Sequence, residues 1–504
     1  MELTRKMVVL QCGSDLCSPT TSSSLHDFTP PRRLSFWRPS HGRCRIVTPP
    51  RPIVALAMKR NADKITKPSI CTADELHYVN VHNSDWRLAL WRYLPPPQAP
   101  ERNHPLLLLS GVGTNAIGFD LSPESSFARF MSAQGYDTWI VELRGAGLSA
   151  QGVEFGEGAK PNAGLTFKGK GKKMVFKSKE STLPSKIFEM VTHLTEERGS
   201  SALVYQLNDF IQKLVSVIED GQRSFPPPLS GVQGHLSTTL KDFQKQLDLM
   251  LKYNWDFDHY VEEDVPAAME YIKTQSKSKD GKLLAIGHSM GGILLYAILS
   301  RCGFEGRDSG LASVTTLGSS LDYSSSKSSL KLLLPLVEPA QALNVPVIPL
   351  GTLLTALHPY ATRPPYLLSW LNSQISAPKM MHPELLEKLV LNSFCTIPAN
   401  LLLQLSTVFH DNGLCDRSGT FFYKNHLGKS KVPILALAAD QDLICPPEAV
   451  FETVKLVPQP FVAYKVFGEP GGPHFAHYDL VGGRLAVDLV YPCIVEFLNN
   501  HDMA

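Results

Sequence analysis

The chain has 504 residues, 43% of them hydrophobic, which is enough to bury a large core and excludes disorder of the whole. Its 49 basic and 47 acidic side chains leave a formal net charge of +2, so there is no electrostatic case for a nucleic-acid partner. The nine cysteines contain no C-x-x-C pair and no His/Cys cluster at zinc-ligand spacing. No metal, cofactor or disulfide framework is therefore expected, and a reducing compartment fits best.

The first 60 residues differ from the rest, carrying ten Lys or Arg against three acids, with a Ser/Thr run at Ser18–Ser24 and proline pairs at Pro30-Pro31 and Pro49-Pro50. A basic, hydroxyl-rich, acid-poor segment has the character of an organelle transit peptide. Chloroplast is the expected destination, with mitochondrion the alternative, because no amphipathic basic helix stands out. The small-residue stretch Val54–Ala57 suits a processing site.

From residue 75 the pattern is that of a folded domain. His77–Val81 and Trp86–Leu94 read as two strands joined by a polar turn. Pro105–Leu109 and Asp137–Leu143 are continuous apolar runs, the first opening into Ser110-Gly111-Val112-Gly113 and the second into Arg144-Gly145-Ala146-Gly147. Lys282–Ile286 is a third such run, followed by a glycine-containing turn and the apolar helix-like stretch Ile293–Leu299. Ser313–Leu317, Val432–Ala438 and Phe461–Phe467 complete the set. Strands alternating with helices predict an α/β fold, a mainly parallel sheet covered on both faces.

Two segments interrupt that alternation. Residues 151–254 open with seven lysines from Lys160 to Lys179 and continue into two candidate amphipathic helices, Leu183–Ile218 and Leu236–Tyr253. A helical hairpin packed on the domain is expected; a basic surface that meets anionic lipid heads is the sharper alternative. Residues 325–425 contain the apolar stretches Leu330–Pro339 and Ala340–Leu357, broken by Pro335, Pro339, Pro346 and Pro349. Those prolines argue against a straight membrane-spanning helix and for a cap or lid, with membrane contact through its apolar surface as the sharper expectation. The core then comprises residues 75–150, 255–324 and 430–504.

The chemistry is carried by Gly287-His288-Ser289-Met290-Gly291, which follows a buried strand and precedes an apolar helix, the context a nucleophile elbow requires. A serine hydroxyl becomes a nucleophile when it stands clear of its surroundings and a base can take its proton. The flanking glycines suit a tight turn approached closely by neighbouring strands. A triad then needs an acid and a histidine, each past a later strand. Asp442 follows the run Val432–Ala438 and is preferred to Asp440, which lies nearer the strand. His474 and His477 share the glycine-rich loop 468–478, with His477 next to a helix expected near Leu480. Backbone N–H groups of Met290 and Val112 are the expected oxyanion donors, with Gly113 the runner-up to Val112.

Assembled, these residues resemble the α/β-hydrolase superfamily, and within it the branch containing the acid lipases of animals. Tyr136–Trp139 through Arg144–Ser149 is similar to the strand and loop before that branch's cap, and Trp255–Asp258 through Asp264–Ala267 to its helix before the nucleophile strand. Asp442-Leu443-Ile444 with Pro446-Pro447 is similar to the common acid motif. His477-Tyr478-Asp479-Leu480 with Gly482 resembles the catalytic-histidine motif, and this selects His477 over His474. The chain departs from the branch at Ser110, where many members have histidine, in the insertion 151–254, and in its transit-like N-terminus. As a whole it resembles plastid-targeted α/β-hydrolases of plants.

The resemblance and the residues together imply a serine hydrolase acting on a hydrophobic carboxylic ester through an acyl-enzyme. An acyltransferase using the same triad and a non-catalytic hydrolase-fold binding or scaffold protein are the alternatives.

Overall fold

The computed structural model describes residues 69–152, 254–276, 278–333, 347–348, 350–363, 366 and 368–503. All belong to the unit Ile65–Ala504. The transit-like segment, the Lys-rich loop with its two candidate helices, and Pro335, Pro339, Pro346 and Pro349 lie outside the described residues.

The sheet is built from β1 (Glu75–Asn80), β2 (Trp86–Tyr93), β3 (Leu106–Leu109), β4 (Thr138–Glu142), β5 (Ala150–Gln151), β6 (Leu283–His288) and β7 (Leu311–Leu317). A two-stranded ribbon of β8 (Val347–Ile348) and β9 (Ile397–Pro398) stands apart, and β10 (Ile434–Ala439) and β11 (Val462–Phe467) complete the sheet. Its spatial order is β1-β2-β4-β3-β6-β7-β10-β11, with β5 on β2. The pairings β1/β2, β2/β4 and β2/β5 are antiparallel and the remainder parallel, which is the arrangement of the α/β-hydrolase fold.

The continuous apolar runs are explained by the sheet being covered on both sides. In β3, Leu107 and Leu109 enter one core cluster while Leu106 and Leu108 enter the other, and in β10 Ile434, Ala436 and Ala438 separate from Leu435, Leu437 and Ala439 in the same way. A period of two distributes side chains to opposite faces, so a strand buried on both must be apolar throughout. Fully burying each leucine contributes about 1.5–3 kcal/mol, which fixes these central strands firmly.

The helices needed to place the site are α1 (Val265–Ser276), α2 (Met290–Glu305), α3 (Leu350–Thr362), α4 (Trp370–Ile375), α5 (Pro383–Asn392) and α6 (Ala399–Ser406). Helix α1 is entered through a π-helical turn, Tyr260–Asp264. Helices α3 to α6 and the β8/β9 ribbon lie within residues 325–425, where a cap is expected, and those residues are called the cap below. Among the described residues no helix is long and apolar enough to cross a membrane. The helix expected near Leu480 is a single turn, Asp479–Gly482, and the closing helix Tyr491–Asn500 starts later.

Both ends of the insertion meet at Trp86. Gln151 of β5 pairs with Trp86, and the Trp255 ring lies edge-on to the Trp86 ring at a centroid distance of 5.0 Å. The described flanks of residues 153–253 thus lie at one point of the core.

Candidate functional site

The turn between β6 and α2 brings Ser289 to φ 54°, ψ −121°, a conformation costing a non-glycine residue about 1–3 kcal/mol. The close approaches around it account for the flanking glycines. A methyl at Gly291 would stand 2.1 Å from Leu109 O, and one at Gly287 2.4 Å from the Gly291 carbonyl carbon. The turn is held by Ser289 N–H donating to Leu317 O at 2.9 Å and by Ser319 Oγ–H donating to Ser289 O at 2.8 Å. Ser289 is the N-cap of the 16-residue helix α2. The first N–H groups of such a helix lack intrahelical partners, and its dipole is positive at this end, so Met290 N–H lies where an oxyanion is stabilised.

Asp442 and His477 are brought together. Asp442 Oδ2 lies 2.7 Å from His477 Nδ1, with the two side chains 0% and 5% exposed. The other carboxylate oxygen accepts N–H groups from Ile444 at 2.9 Å and Cys445 at 2.8 Å. With both oxygens engaged, Asp442 presents one fixed acceptor to the imidazole. The Nδ1 proton therefore points at the carboxylate and leaves Nε2 as a lone-pair acceptor.

These elements converge on Gly318, at the end of β7. The residue has φ +55°, and a methyl there would stand 3.0 Å from Asp442 Oδ2 and 3.1 Å from His477 Nδ1. The preceding carbonyl, Leu317 O, is the one that accepts Ser289 N–H. His288 adds a second connection, its Nε2 lying 3.0 Å from His477 O.

The rejected pair also exists. His474 Nδ1 contacts Asp440 Oδ2, and Asp440 Oδ1 accepts Phe475 N–H at 2.9 Å. That imidazole is 38% exposed and its carboxylate 22%, against the nearly complete burial of Asp442–His477. Asp440 thus shapes the loop that carries His477.

The loop after β3 lies against Ser289, a methyl on Gly111 coming within 3.3 Å of its Cβ. Thr114 Oγ1 donates to Gly111 O at 2.8 Å and Val112 packs partly buried on the core. Gly113, at φ +59°, has its carbonyl taken by Cys395 N–H at 2.6 Å, and Asn115 N–H donates to Ser393 O at 2.9 Å. Residues 393–395 therefore run antiparallel along residues 113–115, with an isolated bridge between Thr114 and Phe394. Ser110 is buried, but its Oγ reaches only Asn115 O at 3.5 Å, too long to organise the loop.

A cavity with room for about one water lies beside this loop, lined by Val141, Leu143, Met290, Ile397 and Leu401 together with the polar Ser110, Thr114, Tyr260 and Thr396. The Arg144 guanidinium that lines it is occupied by Asp264 and Glu263, each at 2.6 Å. Among the described residues no group of three or more His, Cys, Asp or Glu gathers as metal ligands do.

Gly318, Ser319 and residues 393–395 carry no signal in the sequence, and Asp479 carries one only as a member of a motif, without a role of its own. Asp479 is fully buried and accepts Ala476 N–H and Ala377 N–H, each at 2.7 Å, and Ser376 Oγ–H at 2.6 Å. It ties the His477 loop to the cap, and burial raises its carboxyl to about 6. Its place in the motif beginning at His477 was the available signal.

No family model matches the chain, and no curated protein matches it. Among solved structures it is similar to a soluble variant of monoglyceride lipase from Saccharomyces cerevisiae, at 13% identity and TM-score 0.46, covering 87% of this chain and 99% of that one. It is also similar to a thermophilic esterase from Thermogutta terrifontis, at 12% identity and TM-score 0.43, covering 85% and 100%. Naproxen esterase from Bacillus subtilis matches at 12% identity and TM-score 0.39, covering 84% and 91%. At these identities and scores the likeness carries no argument about chemistry, which rests on this chain's own side chains.

Proposed function

We propose that the protein is a serine hydrolase that cleaves a hydrophobic carboxylic ester, with Ser289, His477 and Asp442 as its triad. The observation that carries the reading is the buried 2.7 Å contact between Asp442 and His477 beside Gly318, whose neighbours Leu317 and Ser319 hold the strained turn of Ser289. Asp442 keeps the proton on Nδ1, so Nε2 takes the Ser289 hydroxyl proton as Oγ attacks the ester carbonyl. The N–H groups of Met290 and Val112 hold the oxyanion. His477 then passes its proton to the departing alcohol and, as general base, activates the water that releases the acid.

A hydrophobic ester is favoured by the apolar stretches Leu330–Pro339 and Ala340–Leu357 within residues 325–425. The basic, hydroxyl-rich first 60 residues support the chloroplast as working compartment, with mitochondrion the alternative. The test is fluorophosphonate labelling of the purified protein alongside hydrolysis of p-nitrophenyl esters. Wild type labels and turns over; Ser289→Ala does neither. Equal labelling of the two would remove Ser289 from its role.

A further inference from the structure

The mechanism above leaves unused the imidazole next to the nucleophile. His288 ends β6, on the same face of the strand as Leu284 and Ile286, and is 2% exposed. Its Nε2 lies 3.0 Å from His477 O. A carbonyl oxygen only accepts, so Nε2 must carry a proton. Burial, and then the neighbouring His477, lower its pKa to about 3, so the ring is neutral and this is its single N–H. Nδ1 faces the oxyanion loop, 3.7 Å from where a methyl on Gly111 would stand. The ring is also 4.6 Å from the ring of His477 and 4.7 Å from that of Tyr478.

We propose that His288 is a positioning residue that sets His477 in register with Ser289 by donating its Nε2 proton to the His477 backbone carbonyl. The inference rests on the hydrolase reading given above. Asp442 fixes the rotation of the His477 ring, but the peptide carrying that ring belongs to a long loop from Gly468 to Tyr478, and its place relative to the elbow needs a separate hold. His288 is covalently joined to Ser289, so one hydrogen bond links the backbone of the nucleophile to that of the base. A rigid neutral ring suits the task. It reaches across the gap without a flexible stem, and it adds no cation beside an imidazole that must itself become cationic during the reaction.

The test compares His288→Phe, which keeps a stacking ring without the donor, with His288→Gln, which restores a neutral N–H. Both are measured for thermal midpoint, for kcat and KM on p-nitrophenyl butyrate, and for the rate of fluorophosphonate labelling, with wild type and Ser289→Ala as controls. Loss of one buried neutral hydrogen bond at this position is expected to lower kcat about tenfold in His288→Phe with KM unchanged. His288→Gln is expected to stay within about threefold of wild type, although the thermal midpoints of the two variants are similar. Should His288→Phe be insoluble, His288→Leu takes its place. The proposal is overturned if both folded variants lose activity equally, if neither loses any, or if kcat simply follows the thermal midpoint. A wild type that neither labels nor hydrolyses removes the hydrolase reading and this inference with it. An active wild type beside an equally active His288→Phe removes the positioning role alone.

Discussion

Asp442→Asn separates the two Asp–His pairs most sharply. In wild type one carboxylate oxygen accepts N–H groups from Ile444 and Cys445, and the other meets His477 Nδ1 at 2.7 Å. Asparagine has one oxygen, and the two backbone donors claim it, because leaving the buried one at Cys445 unpaired costs about 1–3 kcal/mol. Its NH2 group then faces His477 Nδ1, which must become an acceptor, and the imidazole proton moves to Nε2. In that tautomer the ring cannot take the Ser289 proton. The expected loss in kcat is about ten-thousand-fold, equivalent to about 5 kcal/mol in the barrier, with the backbone hydrogen bonds and the fold retained. The matched control is Asp440→Asn, in the exposed pair with His474, where kcat should remain within about threefold. Steady-state hydrolysis of p-nitrophenyl butyrate with circular dichroism on both variants decides the matter. A folded Asp442→Asn within tenfold of wild type, or a larger loss in Asp440→Asn, would refute the reasoning.

Gly318→Ala, whose methyl would stand 3.0 Å from Asp442 and 3.1 Å from His477 and push both by a few tenths of an ångström, should lower kcat by about tenfold, short of the about hundredfold that a 1 Å misplacement costs. Gly306→Ala, with φ +68° and nothing within 4 Å of the added methyl, carries similar backbone strain and should lose stability but not kcat. His104 lies between Asp502, at 2.9 Å, and Asp280, at 3.1 Å. Burial alone would lower its pKa, but these two carboxylates outweigh that and raise it. Its contribution to stability is therefore full below the unfolded value of about 6.5 and is lost as pH rises through the folded one. Urea unfolding at pH 6 and 8.5 should show wild type losing stability that His104→Gln does not lose. Asp479 titrates near 6 because it is buried, so its contribution is full below the unfolded value of about 3.9 and disappears as pH rises through 6. In Asp479→Asn the amide oxygen keeps both backbone donors and its NH2 turns to Ser376 Oγ. This variant should gain up to about 3 kcal/mol at pH 8, and a loss of stability there would contradict the assignment.

The order of strands along the chain, the elbow and the two burial faces were legible in the sequence. Leu106–Leu109 and Ile434–Ala439 announce central strands because a segment covered on both sides must be apolar at every position. Gly287 and Gly291 mark the elbow because backbone comes within van der Waals distance of both. By contrast, Gly318 looks like any glycine after a strand. Nothing in its neighbours shows that Asp442 and His477, far along the chain, will meet beside it.

The choice between the two histidines shows the boundary most clearly. Both lie in one loop, and both have an aspartate partner past β10, at nearly equal separations along the chain: 34 residues for Asp440 and His474, 35 for Asp442 and His477. Only resemblance to a motif favoured His477 in advance. Likewise, no local pattern predicted that residues 393–395 of the cap would run along the oxyanion loop or that Asp479 would bind Ala377. The sequence by itself determined which residues could be strand, elbow, acid and base, because periodicity, glycine and carboxylate chemistry act over a few neighbours. Tertiary structure alone decided which Asp–His pair is dry and which is wet, because burial is set by segments far apart in the chain that close over a site together.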